Sequence, residues 1–190
     1  MGAPHLTLAS ASPRRRELLG RLGIVPDAIV PAEIDETPLP RELPRAYALR
    51  MGREKALAVD APGHVLAGDT VVAVGRRILP KAETEAEARA CLALMSGRRH
   101  QVLSSVVLRG PDGGLRTRLS ETVVHFKRLS HEEIAAYLAS DEWRGKAGGY
   151  AIQGAAEGLI EWIRGSHSGV MGLPLYETRL LLKAAGFSIG

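Results

Sequence analysis

The twelve residues HVLAGDTVVAVG, at 64–75, constrain this chain more than any other stretch. The run is too continuously apolar for a surface strand and predicts a strand buried in a sheet. Asp69 breaks it, directly after Gly68. A buried carboxylate without a partner costs several kcal/mol, so Asp69 must be hydrogen-bonded, bound to a metal or turned into a cleft. A Gly-Asp bulge with a purely structural meaning is the alternative.

Strand-like and helix-like patterns alternate on either side of this run. LTLAS (6–10) leads into a helix from Pro13 to about Leu22, and DAIVPA (27–32) reads as a second strand. A long helical pattern covers 43–59, and another runs from about Glu83 to Leu94. HQVLSSVVLRG and LRTRLSETVVHF form a hairpin around a Pro-Asp-Gly-Gly turn. Ser130 with Glu133 makes a capping box for a helix over 131–140. A glycine-rich segment, KAGGYAIQGAAEG (146–158), precedes a short strand and a last helix from about Leu175 to Ala185. The hairpin spoils a purely parallel arrangement, so the expected architecture is α/β with a mixed sheet. At 190 residues the chain reads as a single domain spanning 1–190.

Several function classes lose support. Cys91 is the sole cysteine, which rules out an internal disulfide and suits a reducing cytoplasm. No leader pattern and no 18-residue apolar run occur, so neither secretion nor a membrane span is expected. The six histidines show no HExxH spacing, and there is no G-x-S-x-G elbow. The net charge of +4 calls for an anionic partner, yet aromatics make up only 4%. Nucleic acid is therefore not favoured over a small phosphorylated ligand.

The chemistry-bearing residues sit where strands hand over to helices. In SASPRRREL, Ser12 is a good N-cap and Pro13 a good first helical residue. Leu18, Leu19 and Leu22 mark the inward face of that helix. Arg15 falls near its centre, Arg14 at its edge, and Arg16 and Glu17 outside it. Cations at a helix N-terminus oppose the dipole unless an anion lies between them. Lys55 lies on the inner stripe of its helix and either snorkels or enters a cleft. Glu33 and Asp35 in PAEIDET could hold a divalent cation or be plain loop acids, and Lys81 is a phosphate contact or ordinary surface charge. Gln153 has an amide able to pair with a base edge, or it sits in a surface turn. Together the set suits a polyphosphate with a divalent metal.

The segments SASPRRREL, EIDE, REKA, AGDTVV, MSGRRHQV, KAGGYAIQG and VMGLPLYET, in this order, resemble the Maf (septum formation protein) family. The resemblance covers Leu6 to about Leu182. It implies an α/β fold with a mixed twisted sheet and flanking helices, two lobes around a cleft, similar to the inosine triphosphate pyrophosphatases. It implies hydrolysis of a nucleoside triphosphate to the monophosphate and pyrophosphate, with Mg²⁺ or Mn²⁺. By this resemblance Asp69 is the general base and also a candidate metal ligand. Ser10, Arg14, Arg15, Lys55 and Lys81 bind substrate, and Glu33 matches the acidic position associated with the metal. Arg14, Thr70 and Gln153 match the three specificity positions of the dTTP/UTP subgroup. The 7-methyl-GTP subgroup carries Trp, Gln and Glu there.

Two departures stand out. Pro80, Lys81 and Ala82 replace the usual GKP, and Glu142-Trp143 replaces Glu-Pro, which predicts a large ring near the cleft mouth. The competing readings are a nucleotide-sensing or nucleic-acid-binding regulator of cell division and a 7-methyl-GTP pyrophosphatase. The family also suggests a homodimer.

Overall fold

A computed structural model describes residues 4–189. The main sheet contains β1 (Leu6–Leu8), β2 (Ala28–Ile29), β3 (His64–Val74), β4 (Arg77–Leu79), β6 (Arg99–Arg109), β7 (Leu115–Phe126) and β9 (Ile160–Arg164). Its strand order is β2-β1-β3-β6-β7-β9, with β4 also on β3. β1 runs parallel to both β2 and β3, while β4, β6, β7 and β9 pair antiparallel. A second, two-stranded sheet joins β5 (Lys81–Ala82) to β8 (Lys146–Ala147). The helices are α1 (Pro13–Gly20), α2 (Pro44–Ala58), α3 (Glu85–Met95), α4 (His131–Leu138), α5 (His167–Met171) and α6 (Leu175–Ala184). This is the expected mixed α/β architecture.

The continuous run at β3 is explained by cover on both faces. Side chains alternate across a strand. Val65 and Ala67 join Ala56 and Val59 in one apolar cluster, and Val71 joins Ala48 and Met51 in another. All of these partners belong to α2 or its end. Leu66 and Val72 face the other way, into the large cluster with Leu18 and Leu19 of α1 and Leu181 and Leu182 of α6. α2 approaches closely because of Gly52: a Cβ there would come 2.5 Å from Ser105 Oγ and 3.1 Å from Val107 Cγ2.

The sheet has a gap at its centre. β6 pairs with β3 from Val65 to Ala73 along one edge. Along the other edge β1 pairs at His64–Leu66 and β4 at Val72–Val74. Among the described residues no strand covers the edge between them, so groups from both faces of the sheet can meet beside Asp69 and Thr70. This position, past the carboxyl end of β1, is where open α/β sheets place their ligands.

Several expectations are refined. The second strand is two residues long, not six, and α5 was not anticipated. Ser12 holds the N-cap position of α1 but its side chain caps nothing; its backbone N–H donates to Ser10 Oγ at 3.2 Å. α3 starts at Glu85 behind a Thr84–Glu87 capping box, and Ser130–Glu133 caps α4 as expected. Trp143 is not at the cleft mouth. It is 1% exposed in the main core, with its ring N–H donated to the Leu138 carbonyl at 2.9 Å. The path after Pro80 is set by the β5–β8 pair and by Gly148 N–H donating to the Pro80 carbonyl at 2.9 Å. Among the described residues, no helix is long and apolar enough to cross a membrane.

His100 gives the fold a distinct acid sensitivity. It is buried against Phe126, and its Nε2 pairs with the Tyr150 hydroxyl at 2.8 Å. Burial, with a smaller contribution from His125, pushes it down to about 4. The unfolded chain takes up this proton near pH ~6.5, so the stabilising contribution is complete above that pH and lost as pH falls towards 4. The full loss is about 3 kcal/mol. Urea midpoints measured between pH 6.5 and 5 should fall with acid, and His100→Gln should flatten that slope. An unchanged slope would refute the assignment.

Candidate active site

A cleft of about 480 Å³ opens at the gap in the sheet. It is lined by Ser10 from the β1–α1 turn, Arg14 and Arg15 from the start of α1, Lys55 from α2, and Asp69 and Thr70 from β3. Lys81, Arg144, Lys146, Tyr150 and Gln153 also line it, and Glu36 and Gly172 enter from loops. Six cations thus face two carboxylates around one cavity.

Asp69 and Lys55 are the deepest pair. Odd-numbered residues of β3 point towards α2, so Asp69 meets a side chain that α2 directs inward. Lys55 Nζ donates to Asp69 Oδ1 at 2.6 Å and also contacts Glu36 Oε1 at 2.8 Å. Both Lys55 and Asp69 are buried, at 6% and 4% exposure. The second carboxylate oxygen of Asp69 has no protein partner among the described residues. One oxygen is therefore anchored while the other is left to face the cleft.

Glu36 bridges two lysines, Lys55 and Lys81. Burial alone would raise its carboxyl, but hydrogen bonds and charge from the two lysines outweigh it and bring Glu36 down to about 2. Its loop lacks regular structure and is tied from α2. The Tyr47 hydroxyl donates to the Glu36 carbonyl at 2.6 Å, and Arg50 forks onto both oxygens of Glu42 at 2.8 and 2.7 Å. Glu33 is exposed and does not line the cleft. The acid this loop brings to the site is Glu36.

Thr70 and Arg15 meet on the opposite face of the sheet. Arg15 Nε donates to the Gly172 carbonyl at 2.8 Å and Nη1 to Ser10 Oγ at 3.1 Å. Thr70 Oγ1 lies 3.4 Å from the same carbonyl. Burial lowers the pKa of Arg15, and the charges of Asp69 and Glu36 act against that. Arg14 is lowered by burial and then by Arg15, and its buried Nε has no partner among the described residues. Lys146 is lowered by burial and then by Arg14. These cations repel one another in a partly desolvated space, and an anion placed between them would relieve that. Arg16 and Glu17 are exposed, as the helical wheel predicts.

Gln153 is exposed on the cleft wall, with no hydrogen-bond partner for its amide among the described residues. Sequence reasoning missed Glu36, Lys146, Arg144 and Gly172. Lys146 had a signal, since it opens the quoted KAGGYAIQG motif. Glu36 had none, because a loop has no periodicity to choose among three acids within four residues.

The family profile described as Maf-like protein matches residues 5–185. A dTTP/UTP pyrophosphatase of Novosphingobium aromaticivorans is 64% identical over 189 residues, covering 98% of this chain and 94% of its own. One from Caulobacter vibrioides is 60% identical over 187 residues, covering 97% of each chain. Among solved structures, a nucleoside-triphosphatase, or dITP/XTP pyrophosphatase, of Mycobacterium abscessus overlaps 95% of each chain at 17% identity and a TM-score of 0.45.

Proposed function

The chain belongs to the Maf-like protein family, and from that premise we propose that it is a pyrophosphatase cleaving dTTP and UTP to the nucleoside monophosphate and pyrophosphate. The observation that carries this is the cleft itself: six cations surround a buried aspartate with one oxygen anchored and one free. The regulator and 7-methyl-GTP readings are not favoured. The relatives in hand are named for dTTP and UTP, and a nucleotide sensor has no use for a carboxylate poised in this way. We further take residues 1–190 as one domain working in the cytoplasm.

Asp69 serves as general base in this mechanism. Lys55 holds Oδ1, so Oδ2 is left to take a proton from a water molecule as the water oxygen attacks a phosphoryl group. The bridging P–O bond between the α and β phosphates breaks, its electron pair leaving with pyrophosphate when the α-phosphorus is attacked and with the nucleoside monophosphate when the β-phosphorus is. Arg14, Arg15 and Lys81 face the phosphate oxygens, and Lys146 adds a further charge. Their positive charges are in place before negative charge develops, which is the form of stabilisation that costs no reorganisation.

The donor set also fits a divalent cation of a particular kind. No cluster of three His, Cys, Asp or Glu side chains able to hold a metal exists among the described residues. Two carboxylates in a polyphosphate cleft instead suit Mg²⁺ or Mn²⁺, since Mg²⁺ is bound by one or two carboxylates together with substrate oxygens and water. Asp69 Oδ2 would be its carboxylate ligand, a role that competes with that of base at the same oxygen, and Glu36 would join only by giving up its contact with Lys55 or Lys81; bound there the ion would supply positive charge to the phosphoryl oxygens.

The test is a nucleotide panel with Mg²⁺ and product identification by ion chromatography. Pyrophosphate from dTTP and UTP, lost with EDTA and restored by Mg²⁺ or Mn²⁺, is expected. Orthophosphate as product, or preference for 7-methyl-GTP, would reject the proposal.

A further inference from the structure

The segment from Ser166 to Pro174 contributes no charged side chain to the cleft, yet it holds two groups that do the binding. Its Gly172 carbonyl accepts the Arg15 Nε hydrogen bond at 2.8 Å and lies 3.4 Å from the Thr70 hydroxyl. From this geometry, and resting on the pyrophosphatase reading above, we infer that Gly172 is a positioning residue. One backbone carbonyl sets the guanidinium plane of Arg15 and lies within reach of the Thr70 hydroxyl, and so couples phosphate binding to the choice of nucleobase.

The local backbone supports this. Gly172 sits at φ +129°, ψ −4°, a conformation that residues with a Cβ rarely adopt. Space is not the constraint, since the nearest atoms to an added Cβ are Arg15 Cγ and Nε and Thr70 Oγ1, all at 3.9 Å. Alanine would therefore act by turning the carbonyl away from its partners. Arg15 is fixed by two hydrogen bonds, Nε to Gly172 and Nη1 to Ser10. Loss of the first leaves a pivot about the second.

Ser104 holds the segment from below. Its Oγ is 2.6 Å from the Gly169 carbonyl and 3.2 Å from Thr70 Oγ1. A hydroxyl has one proton, and the shorter contact takes it, so the Thr70 proton goes to Ser104 Oγ or to the Gly172 carbonyl. Ser104 is 1% exposed and does not line the cleft. Any effect it has on substrate must pass through the segment or through Thr70. The far end is fastened by Ser166 N–H donating to Thr122 Oγ1 at 2.9 Å.

The experiment is a double-mutant cycle on the full chain, read by kcat and KM for dTTP and by calorimetric binding of inorganic tripolyphosphate. Gly172→Ala is expected to lower kcat/KM about tenfold or more in the wild-type background, and to change it less than about twofold where Arg15 is already Ala. Equal losses in both backgrounds overturn the inference. Should Gly172→Ala not fold, Ser104→Ala takes its place. A raised KM for dTTP that vanishes in the Arg15→Ala background supports the inference, and a lowered melting temperature with KM unchanged overturns it. If wild-type protein releases no pyrophosphate, the activity reading fails on its own. Tripolyphosphate binding then decides about Gly172, with Arg15-dependent weakening by Gly172→Ala as the supporting result and unchanged binding as the opposing one.

Discussion

Asp69→Asn is expected to lower kcat for dTTP by about 10³-fold, with a much smaller change in KM. The amide matches the carboxylate in shape and can still accept from Lys55 Nζ, so the 2.6 Å contact and the packing of β3 survive. What disappears is the capacity to take a proton at the free oxygen. Pyrophosphate release under saturating dTTP measures the effect, and circular dichroism with thermal melting establishes that the variant is folded. Full activity in a folded Asp69→Asn protein would falsify the base assignment. A large rise in KM with kcat preserved would instead make Asp69 a substrate or metal ligand.

Lys55→Met should have the largest effect on stability. Lys55 and Asp69 side chains are 7% and 5% exposed, and Lys55 also neutralises Glu36. Removing one partner of a buried pair leaves the other charge uncompensated, which costs about 3–5 kcal/mol. For a chain of this length that lowers the melting temperature by about 10 °C. The double variant Lys55→Met, Asp69→Asn should recover part of the loss, because the stranded charge is gone. No recovery would mean that the lysine stem, and not its charge, stabilises α2 against β3. Activity is expected to stay low in both, since neither has an anchored carboxylate.

Much of the architecture was legible because it follows from short-range periodicity. The apolar run at 64–75 predicted a buried strand, and the structure covers it on both faces. The helical wheel separated Arg14 and Arg15 from Arg16, and their exposure agrees. The capping box at Ser130 needs only residues three apart, so it could be read directly. α5 is five residues long, too short to show a period, and it escaped. The role of Trp143 escaped for a different reason: its burial depends on α4 and the main core, which lie elsewhere in sequence.

At the site, the chain by itself determined which residues could carry charge into a cleft. A carboxylate in an apolar strand, a lysine on an inner stripe and arginines at a helix start each conflict with their local setting, and such conflicts show in the sequence. Only the tertiary structure decided which of them meet. Asp69 and Thr70 point to opposite faces of β3, and nothing local says that both faces open onto one cavity. That follows from β1 ending at Leu8, opposite Leu66, and β4 ending at Leu79, opposite Val72, which leaves the middle of the β3 edge uncovered. That Glu36 and not Glu33 lines the cleft, and that the Gly172 carbonyl accepts from Arg15, likewise shows only in three dimensions. Loop acids and backbone carbonyls have no pattern of their own, and their direction is set by the elements that tie the loop down.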